Sequence, residues 1–268
     1  MQTDSGQTVI RVEGLTAVYG EDVILEDIAF EVKRGEVFVI LGGSGCGKST
    51  LLKHMIGLYR PAAGRVLIEG VDLSATSGAE RRRALGKIGV TYQSGALFGS
   101  MTLLENVRLP LEEFTDLPAE GIDLIARMKL HLVGLDGFAE YMPSEISGGM
   151  QKRAAIARAM ALDPQILFLD EPSAGLDPVT SAELDQLILR LARSLGITFV
   201  IVSHELASIY TVADRVVMLD KRVRGIVAAG RPEELRDHSE DPRVRRFFNR
   251  QPESEDEAKP AIETQPRR

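Results

Sequence analysis

Glu36-Val37-Phe38-Val39-Ile40-Leu41-Gly42-Gly43-Ser44-Gly45-Cys46-Gly47-Lys48-Ser49-Thr50 is the stretch on which the reading of the whole chain turns. Val37 to Leu41 is an uninterrupted apolar run, as in a short buried strand, and a glycine-rich turn follows at once. Gly42 to Ser49 fits G-x-x-x-x-G-K-[ST], and Ser49 to Leu58 carries helical spacing that stops at Gly57. Glycines let successive backbone N–H groups converge on phosphate oxygens, and the helix N-terminus adds positive potential. Lys48 supplies a point charge for β- and γ-phosphates, and the Ser49 hydroxyl suits Mg²⁺. The competing reading is a glycine turn with a chance lysine; the strand before it and the helix after it count against that. The loop does not spell G-x-G-x-x-G, so a dinucleotide site is disfavoured. Cys46 is read as a small side chain that fits the loop rather than a reactive thiol.

A second apolar run, Ile166-Leu167-Phe168-Leu169, ends in Asp170-Glu171-Pro172. In open parallel sheets, ligands sit at the carboxyl ends of the strands, so these carboxylates are expected beside the phosphate loop. Asp170 then suits Mg²⁺ through water, and Glu171 suits a general base that polarises an attacking water. Alone, an Asp-Glu pair is usually a solvated turn. The upstream phosphate loop favours the catalytic role.

Outward from these two strands, Val9 to Gly35 reads as strands broken by turns, with further strands at Arg65 to Glu69 and Ile88 to Tyr92. From Met101 to Leu162 the apolar residues recur at helical intervals, as in Leu103, Leu104 and Val107, then Ile122, Ile125, Met128 and Leu132. Strands resume at Ile166 to Leu169 and Thr198 to Val202, with a helix at Val179 to Leu195 between them; Val216 to Leu219 and Val223 to Ala228 close the pattern. Strand–helix–strand alternation predicts an α/β fold with a parallel sheet. Beyond Gln251 the chain is rich in Glu and Pro, a composition expected of a disordered tail. No internal repeat is visible, and only one nucleotide motif.

Composition sets outer bounds. The chain has 268 residues, 44% hydrophobic and 26% charged, which is ordinary for a globular α/β protein. A net charge of −7 argues against a nucleic-acid scaffold. Cys46 is the one cysteine, so no internal disulfide forms and a reducing compartment is expected. Met1 to Ser5 lacks the basic-then-apolar pattern of a secretory signal. Apolar runs such as Ile197 to Val202 fall far short of the roughly 20 residues a membrane helix requires.

Ile146-Ser147-Gly148-Gly149-Met150-Gln151-Lys152-Arg153 then resembles the signature sequence of the ATP-binding-cassette (ABC) ATPases. Ser147, Gly148 and Gly149 open a second helix whose N-terminus suits an anion. The resemblance runs from about residue 8 to 237. It implies a P-loop NTPase fold with a mixed-sheet core, an N-terminal antiparallel β subdomain and an α-helical subdomain inserted at about 97–163. Residues 238–268 would be a C-terminal extension with a helix at about 241–250. ATP and Mg²⁺ are the implied ligands, bound along Gly42, Gly43, Ser44, Gly45, Cys46, Gly47, Lys48, Ser49 and Thr50. By the same resemblance Tyr19 stacks on adenine, although a plain strand-end tyrosine reads equally well. Gln93 reaches Mg²⁺ and the attacking water, and His204 contacts the γ-phosphate. Asp177 in Ser173-Ala174-Gly175-Leu176-Asp177 touches the opposite subunit, and Ser147, Gly148 and Gly149 close on the γ-phosphate held by a second copy. Met150 departs from the family's commoner glutamine, leaving the serine and glycines intact. His204-Glu205 is no zinc motif, since Ser208 stands where a second histidine would be required; His54, His131 and His238 are read as structural.

Within the family, Gln93 to Phe98 with Met101-Thr102 and Glu105-Asn106-Val107, His204 to Ile209, Ala213 to Val216 and Asp241 to Arg245 resemble the ATPases of MCE-type phospholipid transporters. These include the maintenance-of-lipid-asymmetry (Mla) systems. That resemblance implies a peripheral protein on the cytoplasmic face of the inner membrane. Its expected partners are a second copy of itself, an integral membrane permease whose coupling helices enter near Gly95 to Leu104, an MCE-domain lipid carrier and a STAS-domain regulator. Polar-amino-acid importers share much of the pattern. So do soluble ABC ATPases of iron–sulfur assembly, which transport nothing. The segment Asp241 to Arg250, with Val244, Phe247 and Phe248 among arginines, could pack as a terminal helix on its own domain but is expected to extend onto the neighbouring ATPase subunit or the regulator, and Arg81-Arg82-Arg83 to form a solvated helix face.

Overall fold

The computed structural model describes residues 6–251. The readings of residues 1–5 as signal-free and of the tail past 251 as disordered lie outside the described residues. Strand β1 (Thr8–Tyr19) turns tightly into β2 (Asp22–Lys33) and pairs antiparallel with it; Gly20, at φ 64°, lies in the turn. Strand β3 (Val37–Gly42) carries the phosphate loop into helix α1 (Lys48–Met55). Strand β4 (Ala63–Ile68) pairs antiparallel with β1 and with the short β5 (Val71–Asp72), giving a four-stranded sheet ordered β2-β1-β4-β5. Helix α2 (Gly78–Leu85) and strand β6 (Ile88–Thr91) lead into α3 (Leu103–Phe114), α4 (Ala119–Leu132) and α5 (Gly148–Ala159). Then come β7 (Ile166–Asp170), α6 (Pro178–Leu195), β8 (Thr198–Val202), α7 (Leu206–Val212), β9 (Arg215–Asp220), β10 (Gly225–Gly230), α8 (Pro232–His238) and α9 (Pro242–Asn249).

The second sheet is ordered β10-β9-β3-β8-β7-β6, parallel except for the antiparallel β9–β10 pair. It is therefore mixed, as expected. Strand β3 lies inside it, buried at every position. The two-residue period of a strand sends Val37, Val39 and Leu41 into the core under the helices and Phe38 and Ile40 into the core against the four-stranded sheet. Strands β7 and β8 divide their side chains the same way, Leu167, Leu169, Phe199 and Ile201 against Phe168, Val200 and Val202. Each fully buried large apolar side chain of this kind contributes about 1.5–3 kcal/mol. Strands buried on both faces read as continuous apolar runs rather than alternating ones, which is why they stand out in the sequence.

The inserted helices are fixed locally. Thr102 caps α3: its hydroxyl accepts from Glu105 N at 3.1 Å, while the Glu105 carboxylate accepts from Thr102 N at 2.7 Å. Between β6 and α3, the fully buried Asn106 braces the loop by accepting from Phe98 N at 2.8 Å and donating to the carbonyls of Phe98, Met101 and Thr102 at 2.9–3.1 Å. Phe98 is left half exposed, with the Arg158 guanidinium 5.8 Å from its ring.

Three expectations are corrected. The boundary at 237/238 cuts through the end of α8, and α9 is no separate extension: Val244 and Phe248 lie in the same core as β3, with Tyr210 5.9 Å from Phe248. The helix packs on its own domain because its apolar residues at i and i+4 are consumed there. Among the three arginines of α2 only Arg82 and Arg83 are solvated; Arg81 donates to Gly57 O at 2.6 Å, closing the turn after α1. Strand β10 starts at Gly225, not Val223, because Arg224 adopts a left-handed φ of 55° within the preceding turn.

Asp185 on α6 carries no motif in the sequence, yet it is 5% exposed. Burial pushes its carboxyl up to about 6, against a hydrogen bond from Ser208 that favours the charged form. A folded-state value above the unfolded one means the native state holds the proton more tightly. The stability from this group is therefore fully present below about pH 4 and lost as pH rises through about 6. Asp185→Asn removes a cost of about 2–3 kcal/mol at pH 8 but only about 1 kcal/mol at pH 4.5. Urea unfolding at the two pH values should show that divergence; equal shifts at both would contradict it.

Candidate active site

The phosphate loop runs from the end of β3 to the first turn of α1 with glycine where no side chain fits. A Cβ on Gly42, whose φ is 149°, would lie 2.4 Å from Leu219 O and 2.6 Å from Cys46 Sγ; Gly47, at φ 98°, would strike Leu25. The Lys48 ammonium donates to Gly42 O at 2.9 Å and Gly43 O at 3.0 Å, so its charge is held over the loop. Cys46 is buried, and burial pushes its thiol up, the opposite of what a reactive thiolate requires.

A cavity of about 720 Å³ opens over this loop. Gly42, Gly43, Ser44, Gly45, Gly47, Lys48, Ser49 and Thr50 line it on one side; Gln93, Glu171 and His204 converge from three other strand ends. Asp170 reaches the same place, accepting from Ser49 Oγ at 3.4 Å. Burial, then the neighbouring Glu171, raises the Asp170 carboxyl. Hard oxygen donors with surplus negative charge are what a divalent cation relieves. Among the described residues no group of three or more His, Cys, Asp or Glu could hold a metal ion.

Glu171 is 8% exposed and sits at φ 49°, a left-handed conformation a non-glycine residue rarely adopts; its N–H donates to Val202 O at 2.9 Å. The His204 imidazole Nδ1 lies 2.8 and 2.9 Å from the two Glu171 carboxylate oxygens. The strained backbone aims the carboxylate into the cavity and the histidine fixes its orientation.

Tyr19, Ser147, Gly148, Gly149 and Asp177 do not line this cavity. Tyr19 is 79% exposed at the end of β1. Ser147 caps α5, its hydroxyl accepting from Met150 N at 3.3 Å. Gly149 approaches α6 so closely that a Cβ would lie 2.3 Å from Thr180 Cγ2. Asp177 caps α6, accepting from Val179 N at 3.0 Å and Thr180 N at 3.1 Å. Of the other histidines, His54 is buried with Nδ1 2.8 Å from Thr50 O, and His131 pairs with Asp136 on the surface.

Sequence reasoning missed several contributors. Ile24 and Phe247 complete the cavity wall. Lys152 donates to Gln93 O, and Arg158 to Ala96 O at 2.7 Å and Gly95 O at 3.2 Å, so helix α5 clamps the Gln93–Ala96 segment. Desolvation lowers the Lys152 ammonium, opposed by Asp170 and Glu171. The only signal available for this clamp was two cations on one helix, six residues apart.

The ABC transporter family profile matches residues 25–174. The chain is 45% identical over 240 residues to the "Probable ribonucleotide transport ATP-binding protein mkl" of Mycobacterium leprae, covering 90% of this chain and 68% of that one. It is 41% identical over 243 residues to the intermembrane phospholipid transport system ATP-binding protein MlaF of Haemophilus influenzae, covering 90% of each. Among solved structures, the dimeric post-hydrolysis state of the ATP-binding cassette MJ0796 bound to ADP and Pi superimposes with a TM-score of 0.74 at 31% identity, over 83% of this chain and 98% of that one.

Proposed function

The chain belongs to the ABC transporter ATP-binding family, and from that premise we propose that it powers phospholipid movement through a membrane permease. It is an ATP-hydrolysing cassette. The cargo is the open part, since one relative is named for ribonucleotides and the other for phospholipid. The observation favouring lipid is coverage: the chain corresponds to nine-tenths of the phospholipid ATPase but to about two thirds of the ribonucleotide one.

In this reading the loop N–H groups and Lys48 bind the triphosphate of ATP, and Tyr19 offers a face for adenine. Mg²⁺ held by Ser49, by Gln93 and by Asp170 through water would neutralise charge on the β- and γ-phosphates. Glu171, oriented by His204, accepts a proton from the attacking water, whose approach Gln93 also guides. The Ser147–Gly149 helix start, turned away from its own phosphate loop, faces the γ-phosphate bound by a second copy, with Asp177 at the contact between them. Two head-to-tail copies thus share two sites.

Among the described residues no helix is long and apolar enough to cross a membrane, so lipid contact falls to another subunit. The surface suited to receive it is the Gly95–Leu104 loop, held by Asn106 and by helix α5 and presenting Phe98. Because α5 also begins with the signature, closing the nucleotide site would pull on that loop. An MCE-domain lipid carrier and a STAS-domain regulator are the further expected partners, on the cytoplasmic face of the inner membrane. Purifying the tagged chain from detergent-solubilised membranes should recover an integral permease and, by mass spectrometry, bound phospholipid. Recovery of soluble assembly proteins alone would exclude transport; a permease that binds ribonucleotides but no phospholipid would move the cargo to the other relative's class.

A further inference from the structure

Between the loop that follows Glu171, strands β3 and β8, and helices α6 and α7 lies a small cavity. Pro172, Ser173, Asp185, Ser203 and Ser208 line it together with five aliphatic side chains, and every lining residue is buried. The space open to the centre of a water is about 10 Å³, room for one molecule. A cavity with aliphatic walls alone stays dry, whereas one that also presents two to four polar groups holds an ordered water.

Ser173 is 2% exposed, and its hydroxyl finds no hydrogen-bond partner in the protein, a condition that native interiors seldom tolerate. Asp185 is nearly as enclosed. The one hydrogen bond favouring its charged form comes from Ser208, whose Oγ also lies 3.3 Å from Ser181 Oγ; the Glu205 carboxylate disfavours that form. His204 and Arg250 border Asp185 across an outer cavity of about 630 Å³, where the His204 imidazole is turned to Glu171 instead. A carboxyl that titrates at about 6 is ionised at neutral pH, and a buried carboxylate requires donors beyond a single hydroxyl. Ser203 Oγ accepts from Glu205 N at 3.1 Å and retains a second lone pair.

We propose that this cavity binds one water molecule, which accepts from the Ser173 hydroxyl and donates to the Asp185 carboxylate and to Ser203 Oγ. Three hydrogen bonds are what a buried water ordinarily makes. Ser173 stands two positions after Glu171, and Ser203 one before His204. The water thus ties both flanks of the Glu171–His204 pair to α6, and Asp185 acts through it as a positioning residue. The site depends on neither the nucleotide nor the cargo.

A high-resolution crystal structure of the full chain is the first test. It should show one ordered water about 2.6–3.2 Å from both Ser173 Oγ and an Asp185 carboxylate oxygen. Ser173→Val, which sets a methyl group in the cavity, is the second. In it the water should be gone. Carboxyl ¹³C NMR, with the Asp185 signal assigned by its loss in Asp185→Asn, should then show Asp185 titrating at higher pH than in the wild type, because a donor to the charged form has been removed. Turnover should fall several-fold while affinity for a slowly hydrolysed ATP analogue stays as in the wild type, since only the pair that handles the attacking water loosens. A wild-type cavity without an ordered water, or a Ser173 hydroxyl bonded directly to Asp185, overturns the inference whether or not the variant folds. So does a folded Ser173→Val chain in which Asp185 titrates no higher or turnover is unchanged.

Discussion

Glu171→Gln is expected to bind ATP with near-native affinity while its turnover falls by about 10²–10⁴-fold, the usual contribution of a positioned general base. In barrier terms that is about 3–5 kcal/mol. The substitution keeps the shape of the side chain and one acceptor oxygen for the contact with His204, now 2.8 Å from the carboxylate. What it removes is the capacity to take a proton from water. The left-handed backbone at φ 49° and the Glu171 N–H bond to Val202 O are unaffected, because the amide differs only at its tip. Substrate therefore binds, the two copies close on it, and they stay closed because the step that reopens them is slow. ATP with magnesium should convert the variant to a stable dimer on size exclusion, and rapid-quench measurement should show intact ATP within it. Turnover within a fewfold of the wild type would show that another group activates the water, and His204 would become the first candidate. His204→Ala separates the two roles. Loss of an orienting imidazole lowers the rate without abolishing it, whereas loss of the base itself leaves only background hydrolysis.

The parts of this protein that were legible in advance are the contiguous ones. The phosphate loop, the Leu169-Asp170-Glu171 strand end and the Ser147 cap of α5 each place their chemistry within a few residues of a strand or helix terminus, so motif and local structure carry the same information. The strands of the central sheet were legible because both their faces are buried. What escaped joins residues far apart in the chain. Lys152 meets the Gln93 carbonyl across 59 positions, and Arg158 meets Ala96 across 62. Phe247 enters the nucleotide cavity from the last described helix. No local pattern predicts such meetings, since the sheet order that creates them is a property of the assembled fold. Asp185 escaped for another reason: a carboxylate on an amphipathic helix is read as solvent-facing, and only the packing of α7 over it shows otherwise. The helix at 241–250 was found at nearly its observed bounds, but whether its apolar face met its own core or a neighbour's depended on where α7 and α8 lie.

Lys48→Ala should lose tight ATP binding rather than turnover alone, and the contrast with Glu171→Gln separates the two halves of the site. Hydrogen bonds to a charged partner contribute about 1.5–3 kcal/mol each. An ammonium that reaches both β- and γ-phosphates makes two, so the expected loss is about 3–6 kcal/mol, or about 10²–10⁴-fold in Kd. The Gly43 carbonyl, which accepts from Lys48 at 3.0 Å in an exposed part of the loop, would turn back to water, whereas the Gly42 carbonyl, which accepts at 2.9 Å, belongs to a buried residue and would lose a partner. Alanine is also the better residue for the first turn of α1, so the fold should hold to within about 1 kcal/mol. Lys48→Arg keeps the charge but exchanges a compact ammonium for a planar fork that the narrow glycine loop cannot seat, and it too should bind poorly. Calorimetric titration with a slowly hydrolysed ATP analogue and magnesium measures all three chains. An affinity of Lys48→Ala within twofold of the wild type, with the protein folded, would mean that the triphosphate does not lie over the loop. The cavity bounded by Gln93, Glu171 and His204 would then require a different ligand.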